Sequence, residues 1–304
     1  MKIFLNNFDE SGSKITKNQV SKILNKVLEE AGFKKENFES KINSIIQNAK
    51  KNVTSELKNL ATRKSSENIL KELTKILPNL IGGSADLSGS NNTKTESQKV
   101  ISAGKFNGNY IHYGVREHAM ASIMNGLALH SNLIPYGGTF LVFSDYCKPS
   151  IRLSALMKQR VIYVMSHDSI GLGEDGPTHQ PIEHLSSLRS IPNLNIFRPC
   201  DSTETIECWQ IALVCKDRPS VISLTRQNLK YLDYDIDYSD FLGGGFVISK
   251  GKDLTIFASG SEVNLALQIK EILKEFSVQI VSVPILNKLT PEKSKSLNNN
   301  KLTF

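Results

Sequence analysis

The chain has 304 residues, of which 39% are apolar and 22% are charged, and its formal net charge is +7. This balance is typical of a globular protein with a full hydrophobic core, and it excludes a disordered or collagen-like chain. The basic residues form neither a basic helix nor a basic–aromatic stripe, so nucleic-acid binding is not expected. There is no run of about 18 apolar residues, so we expect no membrane span. There is also no CxxC pair and no signal-peptide layout, so we expect a cytoplasmic protein with reduced thiols.

The first 60 residues are rich in Lys, Asn, Ser and Glu, with apolar residues at scattered helical spacing. This pattern predicts a helical or partly disordered N-terminal arm over 1–60. From Thr62 the pattern becomes amphipathic, and Pro78 ends it. We therefore predict a helix over 62–77, whose apolar face consists of Ile69, Leu70, Leu73, Ile76 and Leu77.

Strand-like and helix-like segments then alternate regularly up to residue 225. The apolar runs over 110–113, 133–140, 160–165, 194–198 and 220–225 are typical of buried parallel strands, and helical patterns separate most of them. Such alternation predicts an α/β fold with a doubly wound, mostly parallel sheet. Sheets of this kind bind ligands at the carboxyl ends of their strands.

The sequence divides into two α/β parts. Residues 61–228 form the first, and Asp201 with Glu204 three positions later predicts a capping box at the start of its final helix. The polar stretch 229–245 ends in three glycines and is interpreted as a linker. Residues 246–304 carry only two recognisable strands, so we predict an incomplete second α/β domain.

Chemically versatile side chains follow the predicted strands. His167, Asp175 and His179 share a glycine-rich loop, where histidines can bind phosphate or move protons; a metal site is the rival interpretation. Glu117 stands in the first turn of a predicted helix, where the helix dipole alone favours a carboxylate. Three aromatic residues also recur at every third position, a spacing that fits a helix face, a core stripe or a pocket wall. They are Phe140, Phe143 and Tyr146.

Six segments of the chain carry a combined signature. They are Ala61-Thr62-Arg63-Lys64, Gly82-Gly83-Ser84-Ala85-Asp86-Leu87, Tyr113-Gly114-Val115-Arg116-Glu117-His118-Ala119-Met120, Pro135-Tyr136-Gly137-Gly138-Thr139-Phe140, the loop from His167 to Pro181, and Ser223-Leu224-Thr225-Arg226-Gln227-Asn228. In this order and at this spacing, the segments resemble the transketolase family over about residues 60–285. Members of that family use thiamine diphosphate to transfer two-carbon ketol units from a ketose phosphate to an aldose phosphate.

The resemblance implies a pyrimidine-binding module of the thiamine-diphosphate fold and a role for each matching residue. Glu117 would bond a ring nitrogen of the cofactor's aminopyrimidine and act with the cofactor in proton removal, and His179 would assist proton transfer on the ketol unit. The residues implied to surround the pyrimidine ring are Asp86, Glu117, Phe140, Phe143 and Tyr146. Those implied to bind the sugar phosphate are Arg63, Ser90, His167, Asp175, His179 and Arg226.

The resemblance also implies substrates and partners. Xylulose 5-phosphate is the expected donor, with ribose 5-phosphate or erythrose 4-phosphate as acceptor. Transketolases begin with a diphosphate-binding domain whose Gly-Asp-Gly motif holds Mg²⁺, and no Gly-Asp-Gly occurs in these 304 residues. The Mg²⁺ ligands are therefore expected on another polypeptide, and the chain is expected to form a homo-oligomer or a complex with an N-terminal transketolase subunit.

Several alternatives stay open. The chain could be a catalytically inactive, truncated remnant or an interaction module, an interpretation that the incomplete second domain favours. Deoxyxylulose-phosphate synthases and keto-acid dehydrogenase β subunits share the fold of the pyrimidine module, although the loop 167–181 and the segment 226–228 fit transketolases better. Dihydroxyacetone synthase is similar enough to stay an option.

Overall fold

A computed structural model of the chain describes residues 38–56, 58–130, 132–234, 236, 238–298 and 302–303. The chain divides into two compact units, residues 1–44 and 45–304, and both sheets and the candidate site lie in the second. Helix α1 (Phe38–Glu56) is the first described element. Most of the predicted N-terminal arm, residues 1–37, lies outside the described residues.

The larger sheet has six strands, all parallel, in the order β2-β1-β3-β4-β6-β5. Every residue of the three central strands β3, β4 and β6 is buried, because helices cover both faces of the sheet. The predicted α/β fold with a mostly parallel sheet is confirmed. The strands are β1 (Leu80–Ser84), β2 (Tyr110–His112), β3 (Ile134–Phe140), β4 (Ile162–Ser166), β5 (Asn195–Phe197) and β6 (Ser220–Leu224).

Helices and short 3-10 turns connect these strands. Helix α2 (Thr62–Ile76) packs beside α7 (Ser202–Val214), where Trp209 Nε1 donates a hydrogen bond to Ser66 Oγ at 2.9 Å. The predicted apolar face of α2 is buried except at its end, where Ile76 is 46% exposed. The others are α3 (Ser88–Asn91), α4 (Glu117–His130), α5 (Ser144–Leu156) and α6 (His184–Arg189), with 3-10 turns at Leu141–Phe143 and Ile170–Leu172.

The second sheet contains four described strands in the order β10-β8-β9-β7, with β7 antiparallel to β9. The prediction of two strands in this part is therefore wrong. The pattern missed β7, which is short and only partly buried, and the two-residue β10, because neither has the apolar run that marks a central strand. The elements are α8 (Tyr238–Leu242), β7 (Phe246–Ser249), β8 (Leu254–Ala258), α9 (Ser261–Ile272), β9 (Val278–Ser282), α10 (Pro291–Leu297) and β10 (Leu302–Thr303).

The segment after β9 runs antiparallel beside β5, the last strand of the larger sheet. Phe197 forms a bridge with Ile285, and Leu286 N donates to Ile196 O at 2.9 Å. These backbone bonds attach the second sheet directly to the edge of the first. Throughout the described ranges, no helix has both the length and the apolar character that crossing a membrane requires.

Two buried acids lie at the start of α7, and one of them, Glu204, bonds the second sheet. Asp201 Oδ1 accepts a hydrogen bond from Glu204 N at 2.9 Å, as the predicted cap requires, but the Glu204 carboxylate accepts from Cys200 N at 2.7 Å. Ser282 on β9 donates to the other Glu204 oxygen at 2.5 Å. Burial, followed by the charge of Asp201, raises the pKa of Glu204, so this carboxyl holds a proton more firmly in the folded chain than in the unfolded chain.

We expect the Glu204 contribution to the free energy of unfolding to decrease as the pH rises from about 4.5 to about 8. Over that range the unfolded chain has released the Glu204 proton while the folded chain still binds it, so stability falls until the folded carboxyl also ionises. Glu204→Gln, which keeps both hydrogen-bond positions, should reduce this decrease by up to about 5 kcal/mol. Urea unfolding at a series of pH values measures it. The exposed Glu275→Gln is the control, and equal slopes for both variants would contradict the assignment.

Candidate functional site

A cleft of about 430 Å³ opens at the carboxyl ends of the parallel strands. Each of the six residues that the sequence predicted to bind a sugar phosphate lines it, together with Gly89 and Phe140. The strands explain the grouping, because β3, β4 and β6 end at the same edge of the sheet. The lining residues are Arg63, Gly89, Ser90, Phe140, His167, Asp175, His179 and Arg226.

His167 is held rigidly at the end of β4. Its backbone lies in the left-handed region, with φ of 63°, which is uncommon for a residue other than glycine. The ring of Phe140 stacks on the imidazole with 3.7 Å between centroids. Nδ1 lies 2.7 Å from Ser166 Oγ, which accepts a hydrogen bond from Asn91 Nδ2 at 2.7 Å. This arrangement favours donation by Ser166 to Nδ1, so that the neutral ring carries its hydrogen on Nε2.

The imidazole of His167 stays neutral at physiological pH. Burial lowers the pKa of His167 to about 4, and the positive charge of Arg63 is the next contribution. Arg226 and His179 act in the same direction, while Asp175 opposes them. A neutral imidazole beside two guanidinium groups can donate a hydrogen bond to an anion without adding a third full charge to the cleft.

The two arginines make the cleft suitable for an anion. Arg63 Nη1 donates to the backbone carbonyl of Ser90 at 2.7 Å, which fixes one guanidinium group in the cleft wall. Burial and the charge of Arg226 both lower the pKa of Arg63, so these two cations lie close enough to repel each other. Glu174 is 4.0 Å from the Arg226 guanidinium and is itself exposed. Paired guanidinium groups match the oxygen geometry of a phosphate group.

The aromatic wall adjoins the cleft. Phe143 is half-buried and stacks on Phe140 at a centroid distance of 5.7 Å and an interplanar angle of 5°. Its edge contacts the His179 ring at 5.3 Å, and its other neighbour is Tyr146 at 5.9 Å. Phe140 ends a strand, Phe143 closes a 3-10 turn and Tyr146 lies in the first turn of α5, so the three-residue spacing is neither a helix face nor a core stripe.

Glu117 is largely buried in the first turn of α4. Burial, and after it the Glu117 carboxylate, raise the pKa of the Cys147 thiol to about 12. Helix α4 packs against α5, where Asn125 Nδ2 donates to the Ser150 carbonyl at 3.0 Å. Within the described part of the chain, the Glu117 carboxylate has no hydrogen-bond or ion-pair partner. The carboxylate is therefore available to accept a hydrogen bond from a ligand.

Asp86, which was predicted to lie beside the cofactor, follows β1 in the left-handed region, with φ of 61°. Its side chain is exposed and, like Glu117, Phe143 and Tyr146, it does not line the cleft. Two residues that the sequence analysis missed are Asn91 and Ser166, which hold His167 in place. Neither stands out in the sequence, because an Asn in a polar loop and a Ser at a strand end are common.

The rival metal interpretation of the His167 loop is not supported. Among the described side chains, the group of three whose ligand atoms all lie within 4.8 Å of one another consists of Asp145, Glu183 and His184. In that group the buried His184 ring places Nε2 at 3.2 Å from Asp145 Oδ2. The residues present do fit a flat heterocycle such as an aminopyrimidine, because a half-buried phenyl face and an unpartnered carboxylate both flank the start of α5.

Comparison with known proteins supports the family resemblance. Residues 58–231 match the family model "Transketolase, pyrimidine binding domain", and residues 244–302 match "Transketolase-like TK C-terminal domain". A transketolase from Cereibacter sphaeroides is 49% identical over 240 residues, which is 77% of this chain and 36% of that protein. The chain thus spans about a third of the length of the curated relatives it matches.

Solved structures agree with this result. A transketolase from Pichia stipitis in complex with sedoheptulose-7-phosphate superposes with a TM-score of 0.76 at 36% identity, covering 92% of this chain and 44% of that one. A chain described as "Split gene transketolase, inactive beta4 tetramer" superposes with a TM-score of 0.64 at 27% identity. In that case the match covers 78% of this chain and 77% of the other, so the two chains are similar in extent.

We expect the His167 imidazole to titrate with a pKa of about 4. Replacing Arg63 by Met removes a neighbouring positive charge and should raise that pKa by roughly half a unit. Proton NMR of the imidazole C2 hydrogen across a pH series measures both values. Arg152→Met on the exposed side of α5 is the matched control. An ordinary pKa of about 6.5 in the unmodified chain would contradict the burial of this ring.

Proposed function

The chain belongs to the transketolase family, and we propose that it supplies the pyrimidine side of a ketol-transferring active site whose diphosphate side is carried by a second polypeptide. The observation that carries this proposal is the Glu117 carboxylate, which has no hydrogen-bond partner in the described structure and begins the helix that packs against α5. When bound, thiamine diphosphate supplies a nucleophilic carbon for breaking and forming the carbon–carbon bond. Glu117 would hydrogen-bond a ring nitrogen of its aminopyrimidine, and Phe143 would stack on that ring.

The cleft provides the substrate half of the proposal. Arg63, His167 and Arg226 would bind the phosphate group of the sugar through charge-assisted and neutral hydrogen bonds. Asp175 would accept a hydrogen bond from a sugar hydroxyl, and His179, which contacts the aromatic wall, would move a proton on the ketol unit. The complex of the Pichia stipitis relative with sedoheptulose-7-phosphate supports a sugar phosphate as ligand. Xylulose 5-phosphate, ribose 5-phosphate and erythrose 4-phosphate are the proposed substrates.

A second polypeptide is part of the proposal because a neighbour of similar extent is described as a split-gene transketolase. The 304 residues contain no Gly-Asp-Gly motif, and the chain spans about a third of its curated relatives. The Mg²⁺ ligands would come from a diphosphate-binding domain outside these 304 residues, which would complete the site against the aromatic wall. The split-gene neighbour of similar extent supports such a division between chains.

The alternative is an inactive assembly of this chain with itself. It is favoured by one observation, namely that the split-gene neighbour is described as an inactive tetramer. In this case the chain would keep its fold and an assembly surface without turning over substrate. The two functions differ in whether addition of a diphosphate-binding domain produces activity.

We expect the chain alone to show negligible ketol transfer, and the chain mixed with a transketolase diphosphate-binding domain to transfer ketol units from xylulose 5-phosphate to ribose 5-phosphate. In that mixture Glu117→Gln should lower kcat by about 100- to 10,000-fold, because an amide cannot exchange a proton with the cofactor ring nitrogen as a carboxyl group can. The exposed Glu271→Gln is the matched control and should retain the rate.

A covalent chimera tests the same proposal without depending on how tightly the chain and the diphosphate-binding domain associate. In it, the region of the Cereibacter sphaeroides transketolase that matches this chain is replaced by this chain. An active chimera that loses its rate with Glu117→Gln would support the proposal. A folded chimera that binds thiamine diphosphate with Mg²⁺ but shows no turnover would favour the inactive alternative, and clear activity of the chain alone would contradict the need for a partner.

A further inference from the structure

Arg198 lies at the end of β5 and forms a four-way connection between the two sheets. Its Nε donates to Asp168 Oδ2 at 2.9 Å, and Asp168 directly follows His167. On the other side, Nη1 donates to the carbonyl of Ser259 at 3.2 Å and to the carboxylate of Glu262. Nη2 lies 3.4 Å from Ser261 Oγ. One guanidinium group therefore bonds Asp168, just after β4, and residues 259–262, the turn that leads from β8 into α9.

The bond to Asp168 is buried. The Asp168 side chain is 1% exposed and that of Arg198 is 11% exposed, so water screens this pair little. Burial raises the pKa of Asp168, and the charge of Arg198 opposes that change. The second carboxylate oxygen, Oδ1, has no hydrogen-bond partner in the described structure, so the position of Asp168 depends on Arg198.

The turn at 259–262 is shaped to receive the arginine. Gly260 has a φ of 56°, and a Cβ atom placed there would lie 2.8 Å from Arg198 Cγ. Ser259 Oγ donates back to the carbonyl of Arg198 at 3.3 Å. The second sheet thus fixes both the backbone and the side chain of Arg198, which in turn bonds the residue next to the phosphate-site histidine.

We propose that Arg198 is a positioning residue for the phosphate-binding cleft. By bonding both Asp168 and the turn 259–262, it fixes the backbone at the end of β4 and so the position of the His167 ring. The left-handed backbone of His167 persists only where its surroundings hold it. This inference gives the second sheet a role in substrate binding. The identity of the ligand rests on the proposed function, whereas the predicted movement of His167 does not depend on it.

The test measures the pKa of His167 by proton NMR in the full 304-residue chain carrying Arg198→Met. The largest charge contributions to this pKa come from Arg63, Asp175, Arg226 and His179, and not from Arg198 or Asp168. A change of this size therefore reports movement of the ring rather than loss of a nearby charge. We expect a rise of about one unit, because a displaced ring gains contact with water.

Gly260→Ala is the second variant, because it displaces Arg198 while leaving its charge in place. We expect it to raise the pKa of His167 in the same direction. Gly104→Ala is the matched control: Gly104 also has a positive φ, of 72°, but a Cβ there would meet nothing within 4 Å. If Arg198→Met does not fold, Gly260→Ala and Arg198→Lys decide the question.

An unchanged pKa of His167 in the folded Arg198 and Gly260 variants would overturn the inference. A parallel titration with ribose 5-phosphate separates it from the proposed function. If the wild-type chain binds ribose 5-phosphate and both variants bind it about tenfold more weakly, the positioning role of Arg198 and the proposed ligand are both supported. If the wild-type chain binds no sugar phosphate while the pKa still moves, the proposed ligand fails and the positioning role of Arg198 stands.

Discussion

The candidate site depends on a chain of buried hydrogen bonds from Asn91 through Ser166 to His167, at the carboxyl end of β4. Ser166 joins an amide donor to the imidazole, which orients the ring while the Phe140 face excludes water from it. The left-handed backbone of His167 costs about 1–2 kcal/mol, so the surrounding bonds must offset that strain. Without this chain, neither the tautomer nor the direction of the ring would be fixed.

Burial and charge act together on this ring. Desolvation is the largest cause of the lowered pKa of His167, and the two arginines add to it. The result is a cleft in which Arg63 and Arg226 provide permanent positive charge and His167 provides a neutral donor. A phosphate dianion would meet two charges and several donors there, while the aromatic wall beside His179 stays free for a flat ring.

The sequence predicts those parts of the structure that local patterns control. Strands such as β4 are continuous apolar runs, and Asp201 caps α7 because an aspartate before a helix has a local backbone partner. Patterns fail where distant parts of the chain decide the outcome: β7 forms only because β9 lies beside it, and Glu204 bonds Cys200 and Ser282 instead of completing a capping box.

The same distinction holds for the site. Motifs bring the right residue types to one edge of the sheet, and six of them line a single cleft. The role of Asn91, the separation of Asp86 from the cleft and the unpartnered state of Glu117 depend on packing between segments far apart in sequence. The most direct test of the cleft is to add ribose 5-phosphate to the chain and follow its six histidines by NMR. The account predicts that the signals of His167 and His179 move while the exposed His112 stays fixed, and uniform or absent changes would contradict it.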